Sequence, residues 1–171
     1  MQGVQKQWAA IGLGANLPSQ AGGPAETVRA AAAELAALGE GLQLSSVYRT
    51  RPVGYADQPE FVNAAAVLKT ALEPVALLEQ LLAIERRFGR EREKSIPNGP
   101  RTLDLDLLLV EGLVLATGQL ELPHPRLHLR RFALMPLAEI APELMHPVFG
   151  VSMAELLARL TVEDGDVERV D

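Results

Sequence analysis

Two acids one residue apart, Asp104 and Asp106, lie inside the run Gly99-Pro100-Arg101-Thr102-Leu103-Asp104-Leu105-Asp106-Leu107-Leu108-Leu109-Val110. Its apolar residues and the Gly-Pro punctuation before them predict a buried strand. Residues two apart on a strand share a face. Leu103, Leu105, Leu107 and Leu109 should therefore turn to a core, while Thr102, Asp104 and Asp106 stand on the other side with the acids' Cα atoms roughly 6 to 7 Å apart. Two like charges held that close on an apolar element repel unless a proton or a cation intervenes. A hard divalent cation such as Mg²⁺ answers this, because it takes carboxylate oxygens together with the phosphates of a substrate. A strand whose outer face is simply wet is the other reading, and for an isolated Asp-x-Asp it is the better one. Basic residues are unevenly placed: Arg86, Arg87, Arg90, Arg92, Lys94 and Arg101 fall in one segment, and Arg126, Arg130 and Arg131 in another. Two basic segments around an acidic pair suggest a small anionic ligand held by metal and arginine together.

The elements that must position these residues alternate along the chain. Trp8 to Leu13 reads as a short strand ending in the turn Gly12-Leu13-Gly14-Ala15-Asn16-Leu17. Pro24 to Leu38 is Ala-rich, anchored by Val28, Leu35 and Leu38 and closed by Gly39 and Gly41, so a helix is expected. Leu42 to Tyr48 reads as one strand leading into the loop Thr50 to Pro59, and Phe61 to Thr70 as the next. Pro74 opens a helix whose Leu77, Leu78, Leu81, Leu82 and Ile84 follow helical spacing until Gly89 stops it. The acidic strand follows, with Leu113 to Ala116 expected as its hairpin partner across Glu111-Gly112. This order is that of an α+β, ferredoxin-like βαββαβ sandwich with both helices on one face of the sheet. A C-terminal helical extension, near Arg131 to Ile140 and Ser152 to Leu160, should follow it, and the polar stretch 163–171 should fray.

Composition narrows the classes. A chain of 171 residues, 48% hydrophobic and 22% charged, is expected to form a single domain, residues 1–171, without disulfide staples. Cysteine is absent, which removes thiolate metal sites and thiol nucleophiles. No stretch reaches the length of a membrane span, and Met1 to Ala10 lack the pattern of a leader, so a cytoplasmic protein is expected. A net charge of −6 argues against a broad nucleic-acid footprint, and an aromatic content of 4% argues against an RNA-binding sheet. A small-molecule regulatory domain would not need two acids on a core strand followed by a His and several Arg.

Five segments in order carry a resemblance. Gly14-Ala15-Asn16-Leu17, Val47-Tyr48-Arg49-Thr50-Arg51-Pro52-Val53-Gly54, Asp57-Gln58-Pro59-Glu60-Phe61-Val62-Asn63-Ala64-Ala65, Gly99 to Asp106 and Leu122-Pro123-His124-Pro125 resemble the motifs of the 6-hydroxymethyl-7,8-dihydropterin pyrophosphokinases of folate biosynthesis. The likeness runs from about Ala9 to Pro147 and implies transfer of the β,γ-diphosphate of ATP to the hydroxymethyl group of the pterin, with AMP as co-product. It further implies Mg²⁺ as cofactor, two ions held by Asp104 and Asp106. Arg90 and Arg92 would grip phosphates in catalysis. Arg92, Arg101, His124, Arg130 and Glu85 would lie on the ATP side, with an ion pair from Glu85 to Arg86 or Arg92 on the helix surface as the alternative for that acid. Phe61 and Phe132 would sandwich the pterin, Asn63 would read its amide-like edge, and Thr50, Pro52, Val53 and Asn16 would complete the pocket. The expected partners are these two small molecules, with no nucleic acid and no membrane, acting on a monomer. Where the family commonly has Arg-Trp before Gly-Pro-Arg, this chain has Ile96-Pro97-Asn98, so contacts of that pair do not carry over. Thr50 to Pro59 and Gly89 to Gly99, rich in Pro, Gly and charge, read as mobile loops, the second ordering over bound substrates. The competing classes are another Mg²⁺-dependent phosphoryl or nucleotidyl transferase, which would keep the acids but not both pterin walls, and a pterin-binding module without turnover, which would have no need of the acids.

Overall fold

The computed structural model describes residues 5–50, 57–90, 99–161 and 167–170. Strand β1 (Gln7–Ala15) leads to helix α1 (Pro24–Leu35), which opens on Pro24 and buries Val28, Ala31, Ala32 and Leu35 along one stripe before a 3₁₀ turn, Ala36–Leu38. Next come β2 (Glu40–Leu44), β3 (Tyr48–Thr50) and β4 (Phe61–Thr70), then α2 (Pro74–Arg87), which buries Leu77, Leu81, Ile84 and Glu85. Gly89, at φ 86°, takes a left-handed conformation just past the helix end, where a side chain would be strained. The acidic strand is β5 (Asp104–Val110), followed by the short pair β6 (Leu115–Ala116) and β7 (Glu121–Leu122). Helices α3 (Arg131–Ile140) and α4 (Met153–Arg159) and strand β8 (Val167–Arg169) complete the described chain.

The main sheet runs β5-β1-β4-β3-β8, with β2 also paired to β4, and every pairing is antiparallel. That is the ferredoxin-like arrangement. Helices α1 and α2 cover one face through Val28, Leu35, Leu77, Leu81 and Ile84 against Ile11, Leu13, Leu68 and Leu105. Helices α3 and α4 cover the other through Leu134, Leu137, Met153 and Leu156 against Ala10, Ala65 and Val67. The site described below opens on this second face, where the cover stops at the start of α3.

The structure revises several expectations. The single strand expected over Leu42 to Tyr48 is two strands. The Ser45 hydroxyl accepts from the Ala65 amide at 2.9 Å, so a side chain takes the place of a ladder bond and the pairing breaks between β2 and β3. Leu113 to Ala116 does not return along the acidic strand. A tight turn, in which the Leu113 amide donates to the Val110 carbonyl and Gly112 adopts φ 70°, peels the chain away, and β6 pairs with β7 instead. Leu109 does not share the face of Leu103, Leu105 and Leu107. The β1–β5 register shifts between Ala10 and Ile11, which turns both Leu108 and Leu109 toward α3. Within the stretch expected to fray, Val167–Arg169 pairs with β3 as an outer strand.

Candidate active site

The strand registers bring the chemistry together. Asp104 lies opposite Gly14, which lies opposite Asn63, which lies opposite Tyr48; one step along, Asp106 faces Gly12, which faces Ala65. The two glycines put no side chain of β1 between the acids on β5 and the amide on β4, which lets Leu108 pack over Gly12 and the Asn63 amide over Gly14. A methyl group added at Gly14 would meet the Asn63 Nδ2 at 2.9 Å, so only glycine leaves that amide where it is. A small cleft here is lined by Gly12, Gly14, Asn63, Asp104, Asp106, Arg130 and Phe132, among others. Both acids and Phe132, Asn63 and Arg130 were singled out in the sequence; the glycine pair was not. Its signal was present, since Gly12 and Gly14 stand two apart in a part of the strand, Ala9 to Ala15, otherwise made of Ala, Ile and Leu.

Asp104 sits between two guanidinium groups. Arg101 Nη1 donates to its Oδ2 at 3.3 Å, and Arg90 Nη1 lies 3.6 Å from its Oδ1 while donating to the Leu103 carbonyl at 3.0 Å. The Arg90 side chain is only 6% exposed, so this cation is buried beside Asp104 rather than solvated. The Arg101 guanidinium carbon stands 5.5 Å from the centre of the Phe61 ring, and that of Arg130 the same distance from Phe132. Each aromatic wall expected for the pterin is thus in cation–π contact with an arginine expected for phosphate.

On β4 and its neighbour, the Thr50 hydroxyl donates to Asn63 Oδ1 at 2.8 Å. That bond orients the amide, leaving Nδ2 over Gly14 as the group that can donate to a ligand. Asn16 is buried and fully engaged with protein: its Nδ2 donates to Gln58 Oε1 at 2.8 Å and to the Pro59 carbonyl at 2.9 Å, and its Oδ1 accepts from the Arg101 amide at 2.9 Å. It ties the end of β1 to the segments that lead into β4 and β5. Its side chain, expected at a pterin contact, makes these three bonds to protein, and Gln58 is the partner that sequence reasoning missed. Glu85 is also placed differently from the expectation. It is 1% exposed, with its carboxylate turned into the contact between α2 and β5 rather than into the cleft or onto the helix surface. The signal was its position four residues after Leu81, on the buried stripe. Pro52, Val53 and Arg92, with most of the two loops expected to be mobile, lie outside the described residues.

His124 hangs from β5 through its amide, which donates to the Leu108 carbonyl at 2.8 Å. Its Nδ1 accepts from the Arg126 amide at 3.1 Å, so the neutral ring carries its proton on Nε2 and offers a donor there. Burial, with Arg130 and Arg126 nearby, pushes its pKa down to about 4, against a smaller opposing pull from Asp104. A His depressed in the fold holds no proton there through the range in which the unfolded chain takes one up, so its contribution to stability is lost as pH falls from the ordinary value near 6.5 toward 4. In the ligand-free protein, NMR of the His124 ring should show the neutral Nε2–H tautomer throughout pH 5.5 to 8; a midpoint near the ordinary value would contradict this placement.

The comparisons with known proteins now bear on this geometry. The sequence model of the 7,8-dihydro-6-hydroxymethylpterin-pyrophosphokinase family matches residues 10–142. The chain belongs to this family. It is 40% identical over 166 residues to the 2-amino-4-hydroxy-6-hydroxymethyldihydropteridine pyrophosphokinase of Methylorubrum extorquens, covering 95% of this chain and 98% of that one. To the enzyme of the same name from Pseudomonas aeruginosa it is 42% identical over 155 residues, covering 90% and 91%. Among solved structures, the Plasmodium falciparum HPPK-DHPS wild type with pteroate superposes with a TM-score of 0.69 at 15% identity. That match covers 93% of this chain but 43% of the other, so the pyrophosphokinase fold here corresponds to under half of the longer protein.

Proposed function

We propose that the cleft over Gly12 and Gly14 is where this pyrophosphokinase joins its two substrates, the pterin lying between Asn63 and Phe132 and the triphosphate of ATP between the acids and the arginines. The family reaction is diphosphate transfer from ATP to hydroxymethyldihydropterin in folate synthesis, and the chain is an enzyme of that kind. One observation supports the assignment of the site: residues from β1, β4, β5 and the start of α3 line one small cleft, with both acids and the amide on strands that flank β1.

The acids suit Mg²⁺. Among the described residues no group of three or more His, Asp or Glu side chains comes together, so Asp104 and Asp106 supply two hard oxygen donors and leave the remaining positions to phosphate oxygens and water, as Mg²⁺ prefers. When bound, the metal, two ions by resemblance to the family, would offset triphosphate charge and stabilise charge built up in transfer. The protein's own groups do the positioning. Asn63 Nδ2 and the Phe132 ring would orient the pterin so that its hydroxymethyl oxygen faces the β-phosphorus. Arg101, Arg130 and the Arg90 and Arg92 pair would hold phosphate oxygens through guanidinium forks, and His124 Nε2–H would add a neutral donor. The pterin oxygen forms the new bond to the β-phosphorus, the bridge from the α-phosphate to the β-phosphorus breaks, and AMP leaves with that bridging oxygen. The hydroxyl proton passes to solvent or phosphate.

No helix among the described residues is long and apolar enough to cross a membrane. A cytoplasmic monomer remains part of the proposal. Incubation with ATP, Mg²⁺ and 6-hydroxymethyl-7,8-dihydropterin should release AMP in step with pterin consumption. ADP in its place would indicate single-phosphate transfer and overturn the reading.

A further inference from the structure

We propose that Glu85 is a positioning residue for the acid pair, fixing the peptide between Asp104 and Asp106 from one side and the arginine beside them from the other. The proposal rests on the metal-binding reading of those acids given above. Among the described residues β5 is the outermost strand on its side of the sheet, so amides on its outer edge have no ladder partner there. Leu105, only 1% exposed, has its amide held by Glu85 Oε2 at 2.7 Å. A carboxylate supplies the acceptor that a missing neighbouring strand cannot, and a charged acceptor makes the shorter, stronger bond. Leu105 joins the two acids, so wherever this amide is held, Asp104 and Asp106 follow.

The main chain of Glu85 does the second part. Its carbonyl accepts from the Phe88 amide at 3.1 Å and the Arg90 amide at 3.0 Å, wrapping the chain past Gly89 so that Arg90 comes back toward the start of β5. The Arg90 guanidinium then reaches the Leu103 carbonyl and lies beside Asp104. One residue on α2 therefore governs both the strand that bears the acids and the cation that neighbours one of them. A residue that gripped ATP itself would need its carboxylate open to the ligand, whereas Glu85 is 1% exposed and bonded to the Leu105 amide.

The test compares full-length wild type with Glu85→Ala, Glu85→Gln and Glu85→Asp. Amide hydrogen exchange at Leu105 is read in the protein free of metal and substrates, alongside Leu13 as a control for global stability. In Glu85→Ala the Leu105 amide should exchange about tenfold faster or more relative to Leu13, as expected for a buried donor that has lost its acceptor. The Mg²⁺ concentration for half-maximal rate should rise and kcat should fall, while the dissociation constant of pterin alone stays unchanged. Glu85→Gln keeps an acceptor at the same reach and should restore most of this. Glu85→Asp is one methylene short and should behave like Ala, which keeps the test open should Glu85→Ala fail to fold. An unchanged Mg²⁺ dependence with a raised KM for ATP alone would assign Glu85 to the nucleotide and overturn the proposal, as would a Gln variant as impaired as Ala. Wild type that turns over without Mg²⁺ would instead reject the metal reading, whatever the variants do.

Discussion

Replacing Asp106 with Ala should cut turnover by about a thousand-fold or more while leaving the fold intact. The loss corresponds to several kcal/mol of transition-state stabilisation that the carboxylate supplies by holding metal against the triphosphate. The fold survives because Asp106 points away from Leu105 and Leu107, which fill the core beneath it. Asp104→Ala should be as inactive, with an added cost. Asp104 neighbours the Arg101 and Arg90 guanidinium groups, whose side chains are 14% and 6% exposed, so its loss leaves buried positive charge less compensated. Thermal midpoints should therefore fall in the order wild type, Asp106→Ala, Asp104→Ala, and kcat should be near zero in both variants. Equal stability of the two variants would mean that the arginines do not depend on Asp104, and substantial turnover in either would remove it from the metal site.

Phe132→Ala should weaken pterin binding by about 1 to 3 kcal/mol, through lost stacking and burial on the α3 side of the cleft. Asn63→Ala should weaken it comparably. It removes the donor above Gly14 and leaves the Thr50 hydroxyl without its acceptor, so the pocket loses both a contact and the bond that orients it. Neither change should alter the affinity for ATP beyond the small effect of the Arg130 contact with Phe132. Titration calorimetry with pterin and with a non-hydrolysable ATP analogue would separate the two. Equal losses for both ligands would show that these side chains hold the protein together rather than the pterin.

Much of this arrangement was legible in the sequence because it is local. The period of two in Leu103 to Leu107 placed the acids on one face, and Pro24, Pro74 and Gly89 marked helix ends that the structure confirms to within a few residues. What escaped depends on contacts distant in sequence. The break at Ser45 arises because its hydroxyl meets the Ala65 amide twenty residues away. The shift that turns Leu109 to the second face depends on how β5 registers with β1, which no property of β5 alone reveals. Asn16 looked like a turn residue with a ligand role, and its three hydrogen-bond partners come from segments more than forty residues along. Glu85 was read as an acid on the ATP side, or paired on the helix surface, because charge is usually solvated; its neighbours Leu81 and Phe88 at helical spacing pointed inward. The tail strand β8 is short, polar and stabilised by pairing with β3, so no apolar pattern announces it.

The claim on which the rest depends is that Asp104 and Asp106 hold divalent metal together with the phosphates of ATP. Electron paramagnetic resonance of Mn²⁺, added with a non-hydrolysable ATP analogue and pterin, tests it without relying on turnover. Wild type should give a protein-bound spectrum distinct from that of the Mn²⁺–nucleotide complex in solution, and the Asp104→Ala/Asp106→Ala double variant should give only the solution spectrum. A double variant whose spectrum matches wild type would contradict the assignment of the metal to these two acids.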